Sequence, residues 1–446
     1  MDYQEILDYI FNLKRFGDIK LGLERVRYML ERIGNPEKNL KIIHVGGTAG
    51  KGSTVSMISS ILHASDYKVG SYTSPHLSSY TERIVVNGER ISEKEIISLF
   101  ELLKPIMDEL VEKNNRPTFF EVTTVMAFKY FSDKKVDFAV VEVGLGGRLD
   151  ATNVVIPLAS VITNIGLEHT EILGDTLEKI AVEKAGIIKN NGIVVTATQN
   201  EKVFGVFERN AKEKNAEILR LGHDFKFKKI KSSLDGQTFD VSDKDYQLKG
   251  LFISLIGEFQ LENAATAVAA VKSLKSHGID VPDKAYFVGL KNVRWPGRME
   301  VVQKNPLVIL DSGKDPLAME KVVETLNEMF SDKKINLVFA VSKDKKIGMM
   351  MKKIIPFTDK IVLTKHSLEE RAMDTSELAK EVKIYGKKYS IVEGVNNAVQ
   401  KAIDDCGKDG LVLVTGSIFL IGEARERWHK DVDLKWGRQL NEKRDI

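Results

Sequence analysis

A disulfide framework is the first thing this sequence excludes, because Cys406 is its only cysteine. The same scarcity rules out a metal centre built on thiolates and fits a reducing, cytoplasmic setting. Long apolar runs are missing too: none approaches the roughly 20 residues that a membrane-crossing helix needs. The opening segment MDYQEILDYIFNLKRF mixes acidic with apolar residues and lacks the basic start, long apolar core and small-residue cleavage site of an export signal. Charge of one sign is not in excess either. With 66 Lys and Arg against 63 Asp and Glu, the formal charge is +3 over 446 residues, which gives no electrostatic case for a nucleic acid or membrane partner. What remains is a chain long enough for two or three cores, with small molecules as its expected partners.

Strand-length apolar runs alternate with helical segments. LKIIHV precedes a helix from about Ser53, DFAVVEV follows a helix around Val122 to Phe131, ASVITNI precedes a helix around Thr176 to Ile188, and GIVVTAT follows it. Continuous Val/Ile runs of this kind predict a mainly parallel sheet covered on both faces. Between about Phe225 and Ile256 the texture becomes shorter and more polar, with DG and DKD turn signals, predicting β-hairpins on the flank of the domain. A second alternating series begins after RWPGRME and predicts a smaller, Rossmann-like α/β domain. The expected division is an N-terminal phosphate-loop domain over residues 1–296, a hinge over 297–300 and a C-terminal domain over 301–446.

The stretch HVGGTAGKGST, His44 to Thr54, almost spells the phosphate loop G-x-x-x-x-G-K-[ST], but Gly52 separates Lys51 from the hydroxyl of Ser53. A strand running through glycines into a helix offers an anion its backbone N–H groups and the positive end of the helix dipole, and Lys51 adds a point charge. A second strand end, DFAVVEVGLGGRLDATN, delivers Glu142 where a carboxylate can meet phosphate-bound Mg²⁺. A third, SVITNIG, is followed by His169 and by Lys184 on the next helix.

GGTAGKGST, YTSPHLSSYTERI, FFEVTT, EVGLGGRLDATN, EHTEILGDTLEKIAVEKAGI, ENAATA, RWPGRME and VTGSIFLIGEAR occur in that order over nearly the whole chain. Together they resemble the folylpolyglutamate synthase and dihydrofolate synthase family of Mur-type ATP-dependent amide ligases. The family's loop, G-T-N-G-K-G-[ST], accounts for Gly52. The resemblance implies an enzyme that joins L-glutamate to a folate-type acid, a dihydropteroate or a folyl-glutamate, through an acyl phosphate. It implies ATP held by Gly47, Thr48, Gly50, Lys51, Gly52, Ser53, Asn263, Arg298 and Asp311. Two Mg²⁺ ions would be held, one by Ser74 and Glu142 and the other by His169. Lys51, Glu142, His169 and Lys184 would serve catalysis, with Lys184 matching a lysine that is carbamylated in the family. Thr118, Phe119, Phe120, Glu121, Leu149, Asp150 and Ala151 would line the pterin pocket. A cytoplasmic monomer is the family default.

Two positions depart from the family. Ala49 stands where the loop has asparagine, a mild change for a loop that works through its backbone. More substantially, the signature D-G-A-H-N-P reads DSGKDP here, Asp311 to Pro316, with Lys314 at the histidine position and Asp315 at the asparagine. That leaves open a different acid or amine, an internal amide closure, or a non-catalytic ATP-binding switch.

Overall fold

The computed structural model describes residues 1–13, 21–368 and 370–429. Its larger sheet has eight strands in the edge-to-edge order Glu89–Arg90, Ile84–Val86, Val69–Tyr72, Phe138–Glu142, Ile42–Gly46, Ala159–Ile162, Ile193–Thr196 and Glu217–Arg220. The first two join as antiparallel neighbours and the rest run parallel. The strands Ile42–Gly46, Phe138–Glu142, Ala159–Ile162 and Ile193–Thr196 are buried along their whole length, because helices cover both faces and no position looks out on water. Helices Lys51–His63, Glu258–Ser273 and Asp283–Asn292 close one face. Helices Glu24–Arg32, Glu93–Glu112 and Phe119–Asp133 close the other, joined by Leu177–Ala185 and Glu201–Glu213 towards one edge.

Strands Phe225–Ser233, Gly236–Asp243 and Gln247–Ile253 form a separate antiparallel sheet. The hairpins expected on the flank are there, yet they belong to the main core: Phe225, Phe239, Val241, Leu251 and Ile253 pack into the same apolar cluster as the Lys51–His63 and Glu258–Ser273 helices. Alternation in the sequence marks an inward face but does not say what that face meets.

The second large sheet begins at Glu300. Its order is Glu300–Lys304, Leu307–Asp311, Leu411–Thr415, Ile335–Phe339, Lys360–Leu363 and Tyr389–Ile391, with only the first pair antiparallel. One of its faces is filled by residues such as Met319, Val322, Met351 and Leu378, the other by Val399, Ala402, Leu420 and Ile421. Residues 430–446 of the expected C-terminal domain lie outside the described residues. Among those described, no helix is long and apolar enough to cross a membrane.

Candidate active site

Parallel strands put their carboxyl ends on one edge, so the loops after Gly46, Glu142 and Ile162 open side by side. The glycine-rich loop is lashed to the third of these strand ends. Thr48 N donates to Asn164 O at 2.8 Å, Ala49 N to Asn164 Oδ1 at 2.9 Å, and Thr163 Oγ1 to Ala49 O at 2.7 Å. Gly50 starts the helix at φ +85 with no side-chain cap. The amides of Lys51, Gly52 and Ser53 therefore have no partner within the helix and remain available to an anion. A side chain on Gly50 would begin 2.3 Å from Asn263 Oδ1, so the loop and Asn263 are in direct contact.

The glycine that interrupts the standard motif has a spatial reason. A Cβ on Gly52 would lie 2.4 Å from Cζ2 of Trp295, which belongs to the segment linking the two large sheets. The first turn of the phosphate-loop helix thus serves as the seat of that indole.

Lys51 Nζ donates to the carbonyls of Gly47 and Thr48, each at 3.1 Å. Lys184, whose side chain is 2 % exposed, donates to the same Gly47 O at 2.7 Å and pairs with Glu168 Oε1 at 3.1 Å. Burial pushes the Lys184 amine down to about 8, against the pull of Glu168. Burial alone would raise Glu168, but Lys51 and Lys184 outweigh it and hold the carboxylate below its usual range. Glu168 is the residue that sequence reasoning passed over in favour of its neighbour. His169 takes φ 46 at the start of a short helix and reaches solvent.

Glu142 is buried, and burial raises its pKa against the opposing charges of Lys51, Arg298 and Lys314. Its Oε2 accepts one hydrogen bond, from Ser74 N at 2.9 Å. A buried carboxylate in that position, facing several cations but paired with none of them among the described residues, is a group that could hold a divalent cation. No group of three His, Cys, Asp or Glu side chains gathers among the described residues.

From the second sheet, Asp311 ends its strand and accepts from Met299 N at 2.9 Å and Gly313 N at 2.8 Å. Burial raises its pKa while Arg298 opposes the rise. Arg298 donates to Gly297 O at 3.0 Å and feels the carboxylates of Asp311, Glu142 and Asp315. It lines a cleft of about 530 Å³ together with Thr73, Pro75, His76, Trp295 and Arg425.

The expected pterin-pocket residues divide into two groups. Thr118 and Glu121 cap the Phe119–Asp133 helix reciprocally, and Glu121 also takes Arg25 in a buried ion pair at 2.8 Å, so its carboxylate is engaged structurally. Phe120 stacks on Tyr72 and presses against Gly144, which makes it core. Asp150 is fully engaged by Leu145 N and by Thr152, which in turn meets His44 Nε2 at 2.8 Å. Ala151 is buried and Leu149 is half-buried beside it. Phe119 is different: half-buried, it stacks on Phe11 at 5.4 Å and carries the Arg83 guanidinium 5.0 Å from its ring centre. Arg83 Nε also donates to His76 Nδ1 at 2.8 Å. The segment YTSPHLSSYTERI contains both residues, but nothing in it announces that Arg83 lies over a ring 36 positions later.

Comparison with known proteins agrees with this geometry. The Mur ligase middle domain matches residues 45–271, and the Mur ligase glutamate ligase domain matches residues 297–418. A dihydrofolate synthase/folylpolyglutamate synthase of Bacillus subtilis is 37% identical over 429 residues, covering 95% of this chain and 99% of its own length. The crystal structure of a folylpolyglutamate synthase from Thermotoga maritima superposes with a TM-score of 0.85 at 36% identity, covering 97% of this chain and 98% of that one. A Mycobacterium tuberculosis folylpolyglutamate synthase complexed with ADP superposes at 0.90 with 29% identity, covering 96% and 99%. The chain belongs to the dihydrofolate synthase and folylpolyglutamate synthase family of Mur-type ATP-dependent amide ligases.

Proposed function

We propose that this protein joins L-glutamate to a folate-type carboxylic acid, either a dihydropteroate or the γ-carboxyl of a folyl-glutamate, with ATP as the energy source. The observation that carries the reading is Glu142: a buried carboxylate, held by Ser74 N, set among the charges of Lys51, Arg298 and Lys314 at the mouth of the phosphate loop. A carboxylate is a poor electrophile, and transferring the γ-phosphoryl of ATP to it gives an acyl phosphate that an amine can attack. The open amides of the Lys51–His63 helix hold the phosphates, with Asn263, Arg298 and Asp311 completing the nucleotide site. Ser74, Glu142 and His169 are the residues that would hold Mg²⁺, which when bound spreads the charge of the transferring phosphoryl. Acyl phosphates hydrolyse, so placing the site between two domains, 1–296 and 301–446, lets the protein exclude water while the amine arrives. On this reading one chain supplies both walls of the cleft and works as a monomer.

For the acid, the Arg83 guanidinium beside the stacked Phe119 and Phe11 rings offers a cation next to apolar aromatic surface, suited to a planar heterocycle that ends in a carboxylate. For Lys184, the lowered amine pKa favours the neutral form that reacts with CO₂, in line with a carbamate there. A Lys184→Ala protein rescued by added short carboxylates would support the carbamate; full activity without rescue would remove Lys184 from the mechanism.

A substrate panel tests the central reading. ADP release and amide formation are expected with ATP, Mg²⁺, glutamate and a dihydropteroate or folyl-glutamate, and hydroxylamine should intercept the acyl phosphate as a hydroxamate. Turnover only with other acids or amines would replace the substrate assignment, and no hydroxamate with any acid would replace the ligase reading by that of an ATP-binding switch.

A further inference from the structure

The lysine that replaces the family's histidine in DSGKDP stands on an unusually well-anchored loop. Ser312 N and Ser312 Oγ both donate to Gly297 O at 2.8 Å, Gly313 N donates to Asp311 Oδ1 at 2.8 Å, and Gly416 N donates to Gly313 O at 3.2 Å. On the other side, Asp315 Oδ1 accepts from Ala318 N at 2.9 Å and so caps the Pro316–Met329 helix. Asparagine and aspartate are equivalent caps, so the Asp315 departure preserves the loop. Every residue flanking Lys314 is fixed by a hydrogen bond, while the Lys314 ammonium itself donates none and has no carboxylate at ion-pair distance among the described residues.

The loop faces the nucleotide site. Leu317 Cδ2 sits 2.8 Å from where a side chain on Gly166 would begin, and Thr48 Cγ2 sits 3.4 Å from that point. The first turn after Lys314 therefore touches the segment that lashes down the phosphate loop. The charges that bear on Lys314 are those of Lys345, Glu168, Lys51 and Asp315, and Lys314 in turn bears on Glu142 and His169. Lys345 is already paired with Asp344 at 2.6 Å, whereas the Lys314 ammonium has no such partner among the described residues. Lys51, Glu142 and His169, which the ligase reading sets around the γ-phosphoryl, are thus among the groups it influences or feels.

We propose that Lys314 is a phosphoryl-contacting residue, its ammonium taking the equatorial oxygens of the γ-phosphoryl as that group passes from ATP to the acid. This deepens the ligase reading above and rests on it. In the step concerned, a carboxylate oxygen donates an electron pair to the γ-phosphorus, the bond from that phosphorus to the β–γ bridging oxygen breaks, and its electron pair leaves with ADP. No proton moves. Three oxygens share the developing charge, and a fixed point charge opposite Lys51 stabilises them from the second domain. Lysine suits this role better than histidine because it is longer and carries a compact charge with three rotatable donors.

The test separates phosphoryl transfer from amine attack. With ATP, Mg²⁺, the acid and hydroxylamine but no amino acid, the Lys314→Gln protein should form hydroxamate about a hundredfold more slowly than wild type. Its ADP affinity should be unchanged, its KM for the amino acid should move less than about threefold, and Lys314→Arg should recover part of the rate. Lys343→Gln, at an exposed lysine on the neighbouring loop, serves as the charge control and should match wild type. A normal hydroxamate rate in Lys314→Gln would overturn the proposal. So would a normal rate with a tenfold rise in KM for the amino acid, which would assign Lys314 to the incoming carboxylates. Wild-type protein silent with every acid would instead overturn the ligase reading itself. Matching melting curves for both Lys314 variants and wild type tie the rates to the site.

Discussion

Two loops in this molecule share a plan and differ in how they end. HVGGTAGKGST begins in the strand Ile42–Gly46, DSGKDP begins at the last residue of Leu307–Asp311, and each opens directly into a helix at the carboxyl edge of its sheet. In the first, the N-cap is Gly50, with no side chain to satisfy the helix amides. In the second, Asp315 accepts from Ala318 N and Pro316 occupies the first turn, where it has no N–H to offer. An anion can bind through the backbone only at the first. The second helix end already receives its own carboxylate at Ala318 N, and the side chain that this loop leaves without a partner among the described residues is Lys314. On the ligase reading, similar backbones would divide the labour, one domain offering amides and the other a side chain.

The strongest way to break this contrast is to remove the groups that give the first loop its chemistry. Lys51→Ala and Glu142→Ala are each expected to lower acid-dependent ADP release a hundredfold or more, measured at saturating ATP. Near-normal turnover in either would put the phosphoryl-transfer site elsewhere. Next comes Gly52→Ala. In an unobstructed helix that change is worth up to about 1 kcal/mol of stabilisation. Here the new methyl meets the Trp295 indole, so a loss of about 1–3 kcal/mol is expected instead, with partial recovery when Trp295 is also made smaller. A rise in melting temperature for Gly52→Ala alone would show the indole to be free to move away.

A smaller effect distinguishes the two strands. The phosphate-loop strand carries His44, fully buried, with burial pushing its imidazole down to about 3 from an ordinary 6.5. Between those values the unfolded chain binds a proton that the folded chain refuses, so stability falls as pH drops through the window. The loss from this group between pH 7 and pH 5 is about 2 kcal/mol, and urea midpoints should differ less between those pH values in His44→Gln. The strand Leu307–Asp311 has no titratable side chain before Asp311 and lacks such a term. An unchanged pH difference in the variant would mean that acid sensitivity arises elsewhere. The smallest change concerns the second loop's cap: Asp315→Ala should cost about 1 kcal/mol in unfolding free energy, whereas Asp315→Asn should be nearly neutral.

Much of the site was legible because it lies at strand ends, where one sequence carries both the Val/Ile run and the polar residues that terminate it. Lys51 and Glu142 could be proposed that way, and the structure sets Lys51 beside Glu142 and gathers Lys51 and the helix residue Lys184 around Gly47 and Glu168. Other parts depend on contacts between distant segments, which no local pattern encodes. Glu121 looks like a pocket residue until Arg25, 96 positions earlier, is seen to hold it. Phe119 and Phe120 are adjacent in sequence and opposite in fate, one beneath Arg83 and the other in the core beside Tyr72. Ser312 and Gly313 read as departures from a signature, and only the tertiary structure reveals them as the pins that steady Lys314.

The meeting of Gly52 with Trp295 also has a consequence for descent. Neither position can drift alone: a side chain at one demands a smaller ring at the other. Across related chains the two should therefore change together or stay together, so that the missing side chain and the indole amount to a single inherited character written 243 residues apart.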